Sequence, residues 1–220
     1  MSKKVYFSPS DQTANTYVVG NTNEAEQCRQ ICLLAVEAAE RCGIEALTNT
    51  TGSMAERVSE SNAWGADLHV PVHSNGADGT ADGTLLMCYD LKGEGYKASK
   101  AIHGVLAPLS PGTDYDIWAR PSLYEIRNSK APCAYVEVAF HDNPVEAQWI
   151  IDNKEEIAEA LVKGICNYFG IEYVPPAGED KLYVVHTSPV NKKVAQRVYE
   201  AAEESGAGPV LLEFIKEGFA

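Results

Sequence analysis

Two histidines stand four residues apart in the stretch Ala66–Gly76, which reads Ala-Asp-Leu-His-Val-Pro-Val-His-Ser-Asn-Gly. On a helix, His69 and His73 would form a His-x-x-x-His metal pair. Pro71 and the alternation of Leu68, Val70 and Val72 with His69, Pro71 and His73 mark a strand instead. Four strand residues span roughly 13 Å, so the two histidines do not share one ion. Ser74, Asn75 and Gly76 break the alternation and place His73 at the strand's carboxyl end. In open α/β sheets that edge is where ligands and chemistry collect. Taken alone, His73 reads equally as a metal ligand and as a hydrogen-bonded strand histidine; His69 reads as the latter. The second anchor is Glu137, a single carboxylate inside the apolar run Tyr-Val-Glu-Val-Ala-Phe. Buried there, it carries a desolvation penalty unless it meets a cation or transfers protons. Arg57 and Arg127 are available as cationic partners.

The elements that must position these residues follow from periodicity. Lys4–Ser8 reads as a strand ended by Pro9, and 8–17 as a polar loop. A helix starts at Asn21-Thr22-Asn23-Glu24, capped by Thr22 or Asn23, and carries Cys28, Ile31, Cys32, Ala35, Val36 and Ala39 at helical spacing up to Gly43. Ile44–Leu47 is a strand and Met54–Trp64 a helix that leads into the His73 strand. After a Gly/Asp-rich loop, Thr84–Tyr89 is a strand and Gly95–Leu109 a helix. Residues 110–121 read as a long irregular loop, Tyr124–Arg127 as a short strand and Cys133–Val138 as a buried strand. Asn153–Phe169 is a final amphipathic helix. Alternating strands and helices of this kind predict an α/β fold, a mainly parallel twisted sheet flanked by helices on both faces.

The chain has 220 residues, 45% of them hydrophobic, which suits one full-sized domain and a small appendage. A net charge of −13 with no basic stripe argues against a nucleic-acid partner. The N-terminus lacks the apolar run of a signal peptide, and no stretch approaches a membrane span. Synthesis in the cytoplasm is therefore expected. The six cysteines are scattered without a Cys-x-x-Cys pair and read as reduced apolar fillers. Val174–Asp180 is a linker. It divides a 1–173 domain from a strand-helix-strand unit at 181–220, whose charges balance. A unit that short is marginal alone and is expected to dock on the main domain or pair with a second copy.

Several motifs agree with one family. Glu24 at a helix start, His73-Ser-Asn at a strand end, and Ala131-Pro-Cys-Ala-Tyr-Val-Glu-Val-Ala-Phe-His-Asp-Asn resemble the zinc-dependent N-acetylmuramoyl-L-alanine amidases of the type 3 catalytic family. So do Met54-Ala-Glu-Arg-Val, with Arg57 at the family's arginine position, and Leu123-Tyr-Glu-Ile-Arg-Asn-Ser-Lys-Ala-Pro. The resemblance runs from about Val5 to Phe169. It implies a peptidoglycan hydrolase that cuts between N-acetylmuramic acid and L-alanine, with Zn2+ held by Glu24, His73 and a third ligand, and Glu137 as catalytic acid/base. Asn75 and Arg127, beside these anchors, are expected to contact substrate. The family's first ligand is a histidine in the turn after the first strand. Here that turn reads Ser8-Pro9-Ser10-Asp11-Gln12, and alignment on the proline puts Asp11 at the histidine's position. Gln12 and His141 are the other candidates. The 181–220 unit resembles half of the sporulation-related peptidoglycan-binding repeat, which two chains could complete as a homodimer. The resemblance thus implies a cell-wall lysin acting after release, or a related protein that binds peptidoglycan without cleaving it.

Overall fold

A computed structural model describes residues 2–113 and 116–176. The expected linker beyond 176 and the 181–220 unit lie outside the described residues, and with them the peptidoglycan-binding and homodimer expectations.

Strand β1 (Lys4–Pro9) leads to helix α1 (Glu24–Arg41), strand β2 (Glu45–Thr48), helix α2 (Met54–Trp64) and strand β3 (Leu68–Asn75). Strand β4 (Leu85–Cys88) follows, then helix α3 (Glu94–Leu106) with a 3-10 turn, strand β5 (Ile117–Ala119) and helix α4 (Tyr124–Asn128). Strand β6 (Tyr135–Phe140), helix α5 (Pro144–Asp152) and helix α6 (Lys154–Phe169) complete the described fold. The six strands form one sheet in the order β2-β1-β3-β6-β4-β5. All neighbours are parallel except β4, which runs antiparallel to β6. The expected α/β architecture with a mainly parallel sheet is the architecture found.

Alternation along the strands divides the sheet into two different faces. Val5, Phe7, Leu68, Val70, Val72, Val136 and Val138 join the main apolar core with the inner sides of α1 and α6. Helix α6 also lies close against α3, where a Cβ on Gly164 would come within 2.5 Å of the Ile102 Cα. The opposite face carries polar residues in register: Tyr6 beside His69, and His73 beside Glu137. Helices α2 and α4 pack against each other; Arg57 and Ser61 of α2 and Glu125 of α4 meet this face through hydrogen bonds to Ser8 and His69.

The ends of α2 show why its limits follow from sequence. Ser53 accepts from the Glu56 N–H while the Glu56 carboxylate accepts from the Ser53 N–H, a reciprocal cap, and Gly65 closes the helix at φ 73°. For α1 the cap is Asn23, whose side chain accepts from Glu26 N–H.

Two local expectations are corrected, and one helix had not been expected. The 110–121 segment contains β5, a short edge strand formed by pairing with β4 and too brief to show alternation. Residues 124–127 belong to a helix rather than a strand, with Glu125 and Ile126 turned inward. Before the final helix, α5 begins at Pro144 with the Asn143 side chain accepting from the Val145 and Glu146 N–H groups. Buried Glu146 of α5 ties three segments together. Its carboxylate accepts from Gly83 N–H (2.7 Å), Ser110 Oγ (3.0 Å) and Phe140 N–H (2.8 Å). No helix among the described residues is long and apolar enough to cross a membrane.

Candidate active site

The carboxyl ends of β3 and β6 bring His73 and Glu137 side by side in the ladder. The His73 ring is buried and stacks on Tyr135, two residues before Glu137 on the same face, with centroids 4.5 Å apart. Glu24 reaches it from the first turn of α1: its Oε1 lies 2.8 Å from His73 Nδ1. The other Glu24 oxygen accepts from Asn15 Nδ2 at 2.6 Å, and that amide also donates to Gln12 Oε1 at 3.0 Å. The loop after β1 thus orients the Glu24 carboxylate.

The charges around this pair are unbalanced. Glu24, Glu125 and Glu137 all act on one imidazole. Burial pulls the His73 pKa down, but the facing Glu125 carboxylate, the hydrogen bond with Glu24 and the nearby carboxylate charges carry it up to about 10. For Glu24, burial raises the pKa, and the His73 hydrogen bond and charge, with Ser10 and Asn15, bring it below its usual value. Glu137 differs. Burial pushes its carboxyl up to about 7, against the pull of His73 and with the push of Glu24. Its Oε2 is buried and has no hydrogen-bond partner. Neither arginine considered from the sequence serves it: Arg57 donates to Ser8 and the Gly52 carbonyl, and Arg127 is exposed on α4.

The other expected site residues fall as follows. The Asp11 carboxylate accepts from Met54 N–H (3.0 Å) and pairs with Arg57 (3.4 Å), so it faces the start of α2 rather than the His73–Glu24 pair. Gln12 touches Asn15 and thereby the outer edge of Glu24. His141 sits beside Ser74, with Nδ1 2.9 Å from the Ser74 carbonyl oxygen, and its ring stacks on Tyr17. Asn75, partly buried at the end of β3, accepts from Gly76 N–H. Among the described residues, no three His, Cys, Asp or Glu side chains are gathered as a metal-holding group.

The donors at the centre nevertheless suit a divalent cation. Imidazole nitrogen and carboxylate oxygen are both zinc ligands, and Glu24 and His73 present them to each other at the sheet edge. Three carboxylates around one imidazole leave negative charge that a cation would offset.

Sequence reasoning missed Glu125. It is buried, and its carboxylate faces both strand histidines: Oε1 is 3.2 Å from His69 Nε2, and Oε2 is 3.6 Å from His73 Nε2. His69 is accordingly the hydrogen-bonded strand residue expected, with Ser61 Oγ 3.0 Å from its Nδ1. The available signal was the i, i+4 placement of the two histidines on one strand face, which requires a polar group opposite them.

Fold and site define an α/β protein with a carboxylate–histidine centre at the carboxyl edge of its sheet. The profile of the N-acetylmuramoyl-L-alanine amidase family matches residues 12–167, and the chain belongs to that family. An uncharacterized cell wall amidase of Bacillus anthracis is 25% identical over 181 residues, covering 76% of this chain and 32% of the relative. The chain thus spans about a third of the length of that curated relative. Among solved structures, the catalytic domain of the amidase CwlV from Bacillus (Paenibacillus) polymyxa var. colistinus superposes with a TM-score of 0.70 at 18% identity, covering 77% of this chain and 99% of that one. An N-acetylmuramoyl-L-alanine amidase from Clostridium difficile 630 gives a TM-score of 0.67 at 22% identity, with coverages of 77% and 97%. These likenesses establish the shared fold.

Proposed function

We propose that the chain is a zinc-dependent hydrolase of peptidoglycan, cutting the amide between N-acetylmuramic acid and L-alanine. The observation that carries this reading is the unpartnered Glu137 Oε2, poised near neutrality beside the His73–Glu24 pair. A general base works best with a pKa near the working pH, and a carboxylate whose desolvation outweighs the pull of its neighbour His73 is tuned to that range. Family membership supports peptidoglycan as the substrate class.

In this mechanism Glu24 and His73 would hold the ion, and Asn15 fixes the angle of the Glu24 carboxylate. Bound zinc supplies Lewis acidity, lowering the pKa of a water towards ~7 and polarising the amide carbonyl. Glu137 takes a proton at Oε2 as the water attacks and gives it to the departing amine nitrogen. Tyr135 keeps the His73 ring from turning by stacking on it. Asn75 at the end of β3 and the exposed Arg127 of α4 are proposed substrate contacts.

The test is digestion of purified cell-wall sacculi by the full chain loaded with zinc. Hydrolysis of this bond exposes new amino groups on alanine and no new reducing sugar ends. Sacculi that are bound yet release no amino groups would overturn the enzymatic reading and leave a peptidoglycan-binding protein.

A further inference from the structure

The proposed reaction uses one ring nitrogen of His73 and leaves the other unexplained. Nδ1 faces Glu24 Oε1, while Nε2 faces Glu125 Oε2 at 3.6 Å. Both Nε2 and that oxygen are buried, and neither has a hydrogen-bond partner. The second Glu125 oxygen is fully engaged: Ser8 Oγ donates to Oε1 at 2.5 Å, and His69 Nε2 lies 3.2 Å from it. Arg57 Nε donates to Ser8 Oγ at 3.0 Å, and the His69 ring is stacked on Tyr6. Residues from β1, α2 and β3 therefore hold the carboxylate of α4 in one orientation, with its free oxygen aimed at His73.

We infer that Glu125 is a positioning residue for the metal centre, accepting the Nε2–H of His73 so that the Nδ1 lone pair is directed at the ion shared with Glu24. The inference rests on the zinc-dependent reading above. A neutral imidazole has one N–H and one lone pair, so a proton on Nδ1 would block ligation there. A carboxylate opposite Nε2 favours the proton on that side and makes the ring a stronger donor at the other. The 3.6 Å separation is longer than an ordinary N–H···O hydrogen bond. The inference therefore requires Nε2 and Oε2 to draw closer when an ion takes the place of the Nδ1–Glu24 contact.

The experiment compares zinc affinity of the full-length wild type and Glu125→Gln by competition with a chromophoric chelator. The tautomer of His73 is read from ring 15N and 13C shifts of the zinc-loaded wild type. The amide of glutamine carries no charge and can donate to Nε2, so a 10–100-fold loss of affinity is expected. The wild-type spectrum should show Nε2 protonated and Nδ1 metal-bound. A merely structural Glu125 would lower unfolding stability but leave the affinity of folded protein unchanged. Wild type and folded variant binding zinc within twofold of each other would overturn the inference while leaving the proposed function standing. If the variant does not fold, the wild-type spectrum decides: a protonated Nδ1 overturns the inference. Wild-type protein that takes up no zinc would overturn both readings.

Discussion

Replacing Glu137 with glutamine separates what its carboxylate costs the fold from what it does for the reaction. Burial lifts the carboxyl from 4.5 to about 7, with His73 opposing and Glu24 reinforcing. Between those values the folded chain keeps a proton that the unfolded chain has released. Stability therefore falls as pH rises through this window, and the penalty is complete above about pH 7. At ~1.36 kcal/mol per pKa unit, the penalty is about 3 kcal/mol. Glutamine keeps the shape and never ionises. The metal-free variant should be more stable than metal-free wild type by about 3 kcal/mol at pH 8, and by less than about 1 kcal/mol at pH 5. Urea unfolding in the presence of a chelator, at the two pH values, measures the difference. A variant less stable than wild type at pH 8, or a gap equal at both pH values, refutes the reasoning. Adding zinc should narrow the gap, because a cation beside Glu137 favours its ionised form. The same substitution should slow release of amino groups from sacculi by about 10²–10⁴-fold.

Three further outcomes are expected. Glu24→Ala and His73→Ala should each lose zinc, whereas Glu137→Gln should retain it; elemental mass spectrometry of the purified proteins distinguishes them. Gly164→Ala puts a methyl group within 2.5 Å of the Ile102 Cα and 2.9 Å of the Ala101 carbonyl oxygen, both backbone atoms of α3. It should cost about 1–3 kcal/mol in denaturant unfolding, despite the better helix propensity of alanine. Ser53→Ala removes the cap of α2 and should cost about 1 kcal/mol in the same assay.

What could be read from the sequence follows the range of the forces involved. Helix α2 was legible to the residue because a reciprocal cap and a left-handed glycine are local chemistry written at both ends. The His73 strand was legible because Pro71 and strict alternation exclude a helix, and its ladder partner Glu137 because a lone acid in an apolar run demands a reason. Strand β5 and helix α4 were not, since elements of three and five residues owe their conformation to neighbours rather than to their own periodicity. Glu125 was hidden for that reason. On a short strand its side chain has no defined target, whereas on the α4 helix it turns inward to meet two histidines more than 50 residues earlier in the chain. The position of Asp11 likewise depends on Arg57, an ion pair that alignment on Pro9 does not reveal.

The reversal of β4 has a consequence for how such a protein could be re-engineered. Because β4 runs against β6, and β5 follows the direction of β4, the segments entering those two strands arrive at the edge where β3 and β6 finish. The rim beside Glu137 is therefore assembled from strand entrances as well as exits. Glu146 fastens both entrances and the exit of β6, and the Asp82 side chain accepts from Thr113 N–H to join the two entrances. Residues 77–81 contribute no rung of the ladder and are held instead by Asp142, which accepts from the Ala77 and Gly79 N–H groups, and by Asn143, which donates to the Ala81 carbonyl, so an exchanged loop need only keep those ties. The sheet edge that carries His73 and Glu137 and the loops that surround it are thus separable parts, and a library of rim loops could be swapped onto one unchanged floor.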